Sequence, residues 1–266
     1  MKITTIFIFT FMIFSYAYPY SAEEIVASCK KATEDLQSAE FKGKTITGSV
    51  NITNEEGGVD FVNRFFYSKD INDDKITAMT YCLAGVTYIY EADTDSWLKF
   101  THILDIGSDI FDKEKLFCSF PQNTNGTGFV ITFAGNDLID GKECYCVQSS
   151  VFNSEMSKLY IQKSLDKFVP SQIALWLRQD DRMLNNYLDI YTQNPVSKLW
   201  ISKDDFLLKK IQTNYQQMTG PNEAISISRE ITYFNFNKAI DNSLPQQALS
   251  AHEVSPEEMG LEKVEQ

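Results

Sequence analysis

Histidine is almost missing from this chain: His102 and His252 are the only two among 266 residues. Neither stands near a serine or cysteine in an activating motif, and no Gly-x-Ser-x-Gly elbow occurs, so hydrolysis through an activated nucleophile is disfavoured. No glycine-rich turn runs into Lys-Ser/Thr, which removes a phosphate loop. Basic residues are also scarce. Lys and Arg number 24 against 36 Asp and Glu, for a formal charge of −12. Such a surface repels phosphate backbones and anionic membranes, so nucleic acid is not an expected partner. Cysteine comes in an odd number, five, at Cys29, Cys82, Cys118, Cys144 and Cys146. Cys144-x-Cys146 has no second pair at matching spacing and no nearby His, so it does not read as zinc ligands. One spacer residue is not the thioredoxin pattern either. On a strand the two would share a face, where a bond between them would be strained. A chain of this length buries roughly 70% of its unfolded surface and folds without a disulfide framework. Glu91, Asp93 and Asp95 flank a turn but lack the glycine and further ligands of a calcium loop. No catalytic residue, metal or cofactor is expected.

What is present begins with an address. Lys2 is followed by a mostly apolar run from Ile3 to Phe14, then by Ser15-Tyr16-Ala17 and a polar stretch to Ala22. A basic start, a short apolar core and small residues make a signal peptide, and cleavage fits after Ala17 or after Ala22. Val26-Ala27-Ser28-Cys29 looks like a lipobox but lies behind Glu23 and Glu24. The same residues suit a helix, with Ile25, Cys29, Ala32 and Leu36 on one face. The chain therefore divides into a signal peptide (1–22), one domain (23–250) and an acidic tail (251–266) expected to be mobile. An exported, soluble protein outside the cytoplasm follows.

The domain is rich in strands. A helix over Glu24–Ser38 precedes alternation from Phe41 to Ile52, with Ile46, Val50 and Ile52 on one face and Thr45, Thr47 and Asn51 on the other. Asn54-Glu55-Glu56-Gly57-Gly58 reads as a turn. Val59–Tyr67, Ile76–Cys82, Val86–Tyr90 and Trp97–Thr101 continue as an antiparallel meander. Ile103–Phe120 reads as a short helix. Phe129–Phe133 and Glu143–Ser149 are strands around the Asp140-Gly141 turn. Asn153–Gln193 is helical, and Trp176, Met183, Leu184, Tyr187, Leu188 and Tyr191 line one side of its second part. Strands return at Lys198–Ser202, Phe206–Tyr215 and Ala224–Phe236. Strand runs interrupted by helical excursions indicate an α+β fold.

Many strands carry large apolar residues on both faces: Phe61, Phe65 and Tyr67 alternate with Val62 and Phe66, and Tyr88 and Tyr90 with Ile89. A sheet wet on one side alternates more cleanly. Either both faces are covered by ordinary core, or one lines an apolar pocket under helical lids. Asn51-Ile52-Thr53 and Asn125-Gly126-Thr127 are glycosylation sequons, relevant only where the source glycosylates.

Four stretches taken in order carry a resemblance. They are the first helix running into Glu40-Phe41-Lys42-Gly43; Gly85 to Tyr90 with Trp97 after the turn; Asp140 to Val147; and Lys198 to Lys203 followed by Leu207-Leu208-Lys209-Lys210. Together they resemble the LolA-like superfamily of exported lipoprotein and lipid carriers, over roughly Glu23 to Pro245. The resemblance implies a strongly curved, open antiparallel half-barrel with helices over its concave face. It implies acyl chains of lipids or lipoproteins as ligands, no catalysis, and a monomer that meets an envelope protein partner. Phe61, Phe65, Tyr88 and Tyr90 are then expected in the cavity, with Trp176, Met183, Leu184, Tyr187 and Leu188 on the lid. Arg64 occupies a position similar to that of a lid-holding arginine. The helical excursion at Asn153–Gln193 is longer than a lipoprotein carrier needs. The alternative is a non-enzymatic interaction or sensor module with a filled core.

Overall fold

The computed structural model describes residues 20–48, 51–101, 111–113, 117, 126–165, 174, 177–192, 196–220 and 223–255. Helix α1 (Ala22–Glu34) opens the chain. Ser21 Oγ accepts the Glu24 N–H at 3.2 Å and Glu24 Oε2 accepts the Ser21 N–H at 2.7 Å. This reciprocal cap satisfies two donors that a helix start leaves open. Ala22, Ile25, Val26 and Cys29 recur at helical spacing and are buried.

Strands β1 (Ser38–Thr47), β2 (Asn51–Asp60), β3 (Phe65–Asn72), β4 (Lys75–Leu83), β5 (Val86–Glu91) and β6 (Ser96–Thr101) form one meander. Strands β7 (Phe129–Ile139) and β8 (Lys142–Val151) are followed by helices α2 (Ser154–Lys163) and α3 (Asp181–Thr192). Strands β9 (Val196–Ser202), β10 (Leu208–Gly220) and β11 (Glu223–Phe234) complete the sheet, and a short β12 (His252–Glu253) ends it. All lie in one 12-stranded sheet, ordered β12-β6-β5-β4-β3-β2-β1-β11-β10-β9-β8-β7. The two runs are joined by pairing β1 against β11, so neighbours in the middle come from opposite ends of the chain. The sheet is large, curved and open, and every pairing except β12 with β6 is antiparallel. The α+β expectation holds.

Three boundaries differ from the sequence-based expectation, each for a local reason. Asn54–Gly58 is not a turn but the middle of β2, paired with β1 and β3. Gly57 is needed there because a Cβ would lie 2.3 Å from the Tyr67 carbonyl oxygen and 2.5 Å from Phe41 Cζ. The glycine serves close packing, not a bend. The turn instead falls around Gly48, whose φ of +64° suits glycine. The expected strand Val59–Tyr67 is split by a turn over 61–64. Asp60 stabilises that turn by accepting the N–H groups of Val62 and Asn63, both at 2.9 Å. The apolar spacing from Trp176 to Tyr191 does not belong to one helix. Asp180 Oδ1 accepts the N–H groups of Arg182 (2.9 Å) and Met183 (3.1 Å), capping a new helix start. The expected helix over Ile103–Phe120 lies mostly outside the described residues.

The segment after β11 crosses the sheet. Asn237 Oδ1 accepts the Gln37 N–H at 2.8 Å, and Ser38 Oγ donates to the Lys238 carbonyl at 2.6 Å. Asn242 donates to Asp60 at 3.2 Å. Beyond Ser250, where a mobile tail was expected, His252 and Glu253 pair with β6, and Lys99 meets Glu253 at 3.1 Å. The tail is thus fixed to the sheet edge as far as Val254, whose N–H donates to the Lys99 carbonyl at 2.9 Å.

Candidate functional site

Strand register assigns each side chain to a face, since cross-strand partners point the same way and successive residues alternate. The inner face is the one on which α1 packs. Its main core joins Ile25, Val26 and Cys29 of α1 to Phe41, Val59, Tyr145, Val147, Leu199, Ile201 and Tyr233 of the sheet. Phe117 packs between, with its ring 4.9 Å from Tyr233 and 6.1 Å from Phe61. Phe66, Phe111, Ile211 and Ile231 surround this core half-buried. Burial pushes the Tyr233 phenol up, so it stays neutral.

The inner face does not stay apolar. Beyond Ile211 and Ile231, the next inward-facing partners Thr53–Thr45–Arg229–Thr213–Ser197–Ser149 form one row across β2, β1, β11, β10, β9 and β8. Ser197 and Thr213 join by a 3.3 Å hydrogen bond. Beside the row, Glu55 and Asp70 are register partners on β2 and β3. Arg229 Nη2 lies 3.0 Å from Glu55 Oε2. Thr45, Thr53, Glu55, Ser68, Asp70 and Arg229 line an open cleft of about 330 Å³. Burial, aided by the Glu55 charge and opposed by Arg229, raises the Asp70 carboxyl above its usual range. The inner face is therefore amphipathic, with an apolar half under α1 and a hydroxyl-rich, charged belt beyond it.

The residues singled out from sequence do not gather on one surface. Phe65 is fully buried, but its ring packs on Tyr67 and Tyr81, on the face opposite α1. Tyr88 pairs with Tyr81 and Tyr90 with Trp97 on that same outer face. There Asp95 accepts the Tyr90 hydroxyl at 3.0 Å. Phe61 lies in the turn after β2, against the main core. Arg64 is in that turn too, at φ +49°, not on a strand, and its guanidinium sits 5.2 Å from the Phe111 ring centre. On α3, Leu184 and Leu188 are buried and Tyr187 half-buried, packed with Ile161, Leu165, Leu177 and Phe129 in a second core. Lys158 of α2 pairs with Asp189 of α3. Met183 points away, 45% exposed. Trp176 lies outside the described residues. Phe129 and Val151 are register partners on the inner side of β7 and β8, and α3 also reaches β10, so the helix pair sits on the α1 face over the β7–β10 part of the sheet.

Cys144 and Cys146 pack under Trp200 on the outer face, and Cys82 is buried in β4. All three are unbonded, and burial pushes each thiol up. Among the described residues no group of three His, Cys, Asp or Glu could hold a metal ion, and no helix is long and apolar enough to cross a membrane.

No protein-family model matches the chain, and no curated protein matches it. Solved structures do. The structure is similar to that of the lipoprotein LppX from Mycobacterium tuberculosis, at 14% identity and a TM-score of 0.47, over 84% of this chain and 98% of that one. It is also similar to LprF from Mycobacterium bovis, at 14% identity and a TM-score of 0.48, over 84% and 96%. A LolA superfamily protein from Nitrosomonas europaea matches at 8% identity and a TM-score of 0.27, over 86% and 96%.

Sequence reasoning misses the belt because it sorts these strand residues onto two faces without fixing which face is inner. Ile46 and Ile52 face each other across β1 and β2, yet Ile52 is 43% exposed and the threonines point inward. The signal available is the shared parity of Thr45 and Phe41 in one strand, and of Arg229 and Tyr233 in another.

Proposed function

We propose that this protein is a non-catalytic, extracytoplasmic carrier or binder of lipid-like ligands, acting as a monomer. The observation that carries the reading is the amphipathic inner face. Half-buried Phe66, Phe111, Ile211 and Ile231 extend the apolar surface beyond the packed core, and a polar belt bounds it. An acyl chain lying on that surface gains about 0.8 kcal/mol per buried methylene, so affinity needs no charged anchor for the chain itself. The ligand site is assigned to the inner surfaces of β1, β2, β3, β10 and β11. Phe61 and Arg64 stand at its β2–β3 end, and Leu184, Tyr187 and Leu188 belong to the helix pair that reaches β10. Phe65, Tyr88 and Tyr90 support the sheet from outside.

Native mass spectrometry of gently purified protein tests this. A lipid adduct removed by organic extraction and restored by adding lipid is the expected result. An apo mass throughout, with no uptake of a fluorescent fatty acid, would overturn it. That outcome would favour the second reading, an interaction module with a filled core. One observation favours this second reading: Ile161, Leu165 and Leu188 of the second core are buried to 3% exposure or less, as in a filled core.

A further inference from the structure

We infer that the belt beside Arg229 is a head-group site, and that it selects acyl-chain ligands whose head carries a primary ammonium over those with a neutral or anionic head. The inference rests on the carrier reading and specifies its ligand. Three observations lead to it. The cleft opens on the same face as the apolar surface, four residues along the strands from Phe41 and Tyr233, so one amphiphile can touch both. Its charges do not balance. Arg229 is held by Glu55 at 3.0 Å, while Asp70 makes no ion pair among the described residues and meets the Arg229 charge only from beyond that distance. The cleft therefore carries two carboxylates against one guanidinium and presents a surplus negative charge. Its other walls are the hydroxyls of Thr45, Thr53 and Ser68. Hydroxyl oxygens and a carboxylate are acceptors, and an ammonium brings three donors and no acceptor. A phosphate or carboxylate head would meet Asp70 and Glu55 as like charges and would have to take Arg229 from its partner.

The arrangement also fits the neighbouring glycine. A Cβ on Gly43 would sit 3.1 Å from Glu55 Oε2, so the bare backbone lets the Glu55 carboxylate lie flat on the sheet toward Arg229. Asp70 then remains the group that faces a ligand. It stands half-buried, where an added ion pair is less screened than on open surface.

The test uses three ligands with one chain, decylammonium, decanol and decanoate, titrated calorimetrically below their micellar concentrations into the full mature protein. Wild type should bind decylammonium roughly tenfold more tightly than decanol, as one charge-assisted contact provides, with decanoate weakest. Asp70→Asn, and Asp70→Ser as a second variant, should lose that preference and keep decanol binding. Equal affinity for all three ligands, or a preference that survives in both folded variants, would overturn the head-group site and leave the carrier reading standing. Failure of all three to bind folded wild type would overturn the carrier reading, and this one with it.

Discussion

Adjacent residues on α3 give the most direct check on how its helix is used. Leu184 is 6% exposed and belongs to the second core, whereas Met183 is 45% exposed. Replacing Leu184 by Asp removes a branched side chain from the cluster it shares with Ile161, Leu188 and Phe129. Truncation of such a leucine alone costs about 2–5 kcal/mol. The carboxyl adds a desolvation cost, because burial without a partner disfavours it even when protonated. Lys158 on α2 is already engaged by Asp189. A total of at least about 3 kcal/mol follows, against roughly ±0.5 kcal/mol for Met183→Asp on the exposed side. In a domain of this size about 3 kcal/mol lowers Tm by roughly 6–12 °C. Far-ultraviolet circular dichroism on heating should show the transition lowered by that amount in Leu184→Asp and little changed in Met183→Asp. Fatty-acid binding measured below that transition should persist if the inner surface of β1–β3, β10 and β11 is the site. Equal effects of the two substitutions would refute the packing argument. Loss of binding with the fold intact would move the ligand to the helix pair.

Other expectations follow from single contacts. Cleavage after Ala22 would remove Ser21, which caps α1, and Tyr20, whose ring packs 5.6 Å from Phe206. We therefore expect the mature chain to begin at Tyr18, checked by intact mass, and Ser21→Ala to cost about 1 kcal/mol; a start at Glu23 would refute this. Gly57→Ala drives a methyl into the Tyr67 carbonyl oxygen and should cost about 2–3 kcal/mol or more by denaturant titration, since neighbouring backbone yields less than a side chain. A neutral result would place residues 54–58 in a turn. Cys82, Cys144 and Cys146 should resist a thiol reagent in the native state and react once unfolded, because each is buried and its thiolate disfavoured. Rapid native labelling of any of the three would contradict their burial.

Much of this fold could be read from local chemistry. Where a turn is made by Asp140-Gly141, or by the bend between Leu83 and Val86, strand ends fall close to the structure, because the residues that bend the chain act within a few positions. The errors share a different cause. Gly57 and Gly58 look like turn glycines until Phe41 and Tyr67 are known to press on them. Asp180 looks like a polar residue inside a long apolar stripe until its carboxylate is seen on two helix N–H groups. Each depends on what lies across the sheet or at the next element, which spacing along one strand or helix does not encode.

The same limit explains the candidate site. Aromatic content marked Phe65, Tyr88 and Tyr90 as cavity residues, but aromaticity does not state which face is inner. Parity does so only once the whole register is fixed, because a shift of one residue exchanges the faces. With the register in place, the outer aromatics pack with Tyr67, Tyr81 and Trp97. The inner face acquires the hydroxyl and charged groups of the belt. Glu55 and Asp70 are neighbours on β2 and β3, and β1 brings the distant Arg229 beside them by pairing with both β2 and β11. That junction of the two meanders is where a charged cleft comes to share a face with the main apolar core, so the amphipathic surface is a product of topology and not of any one segment.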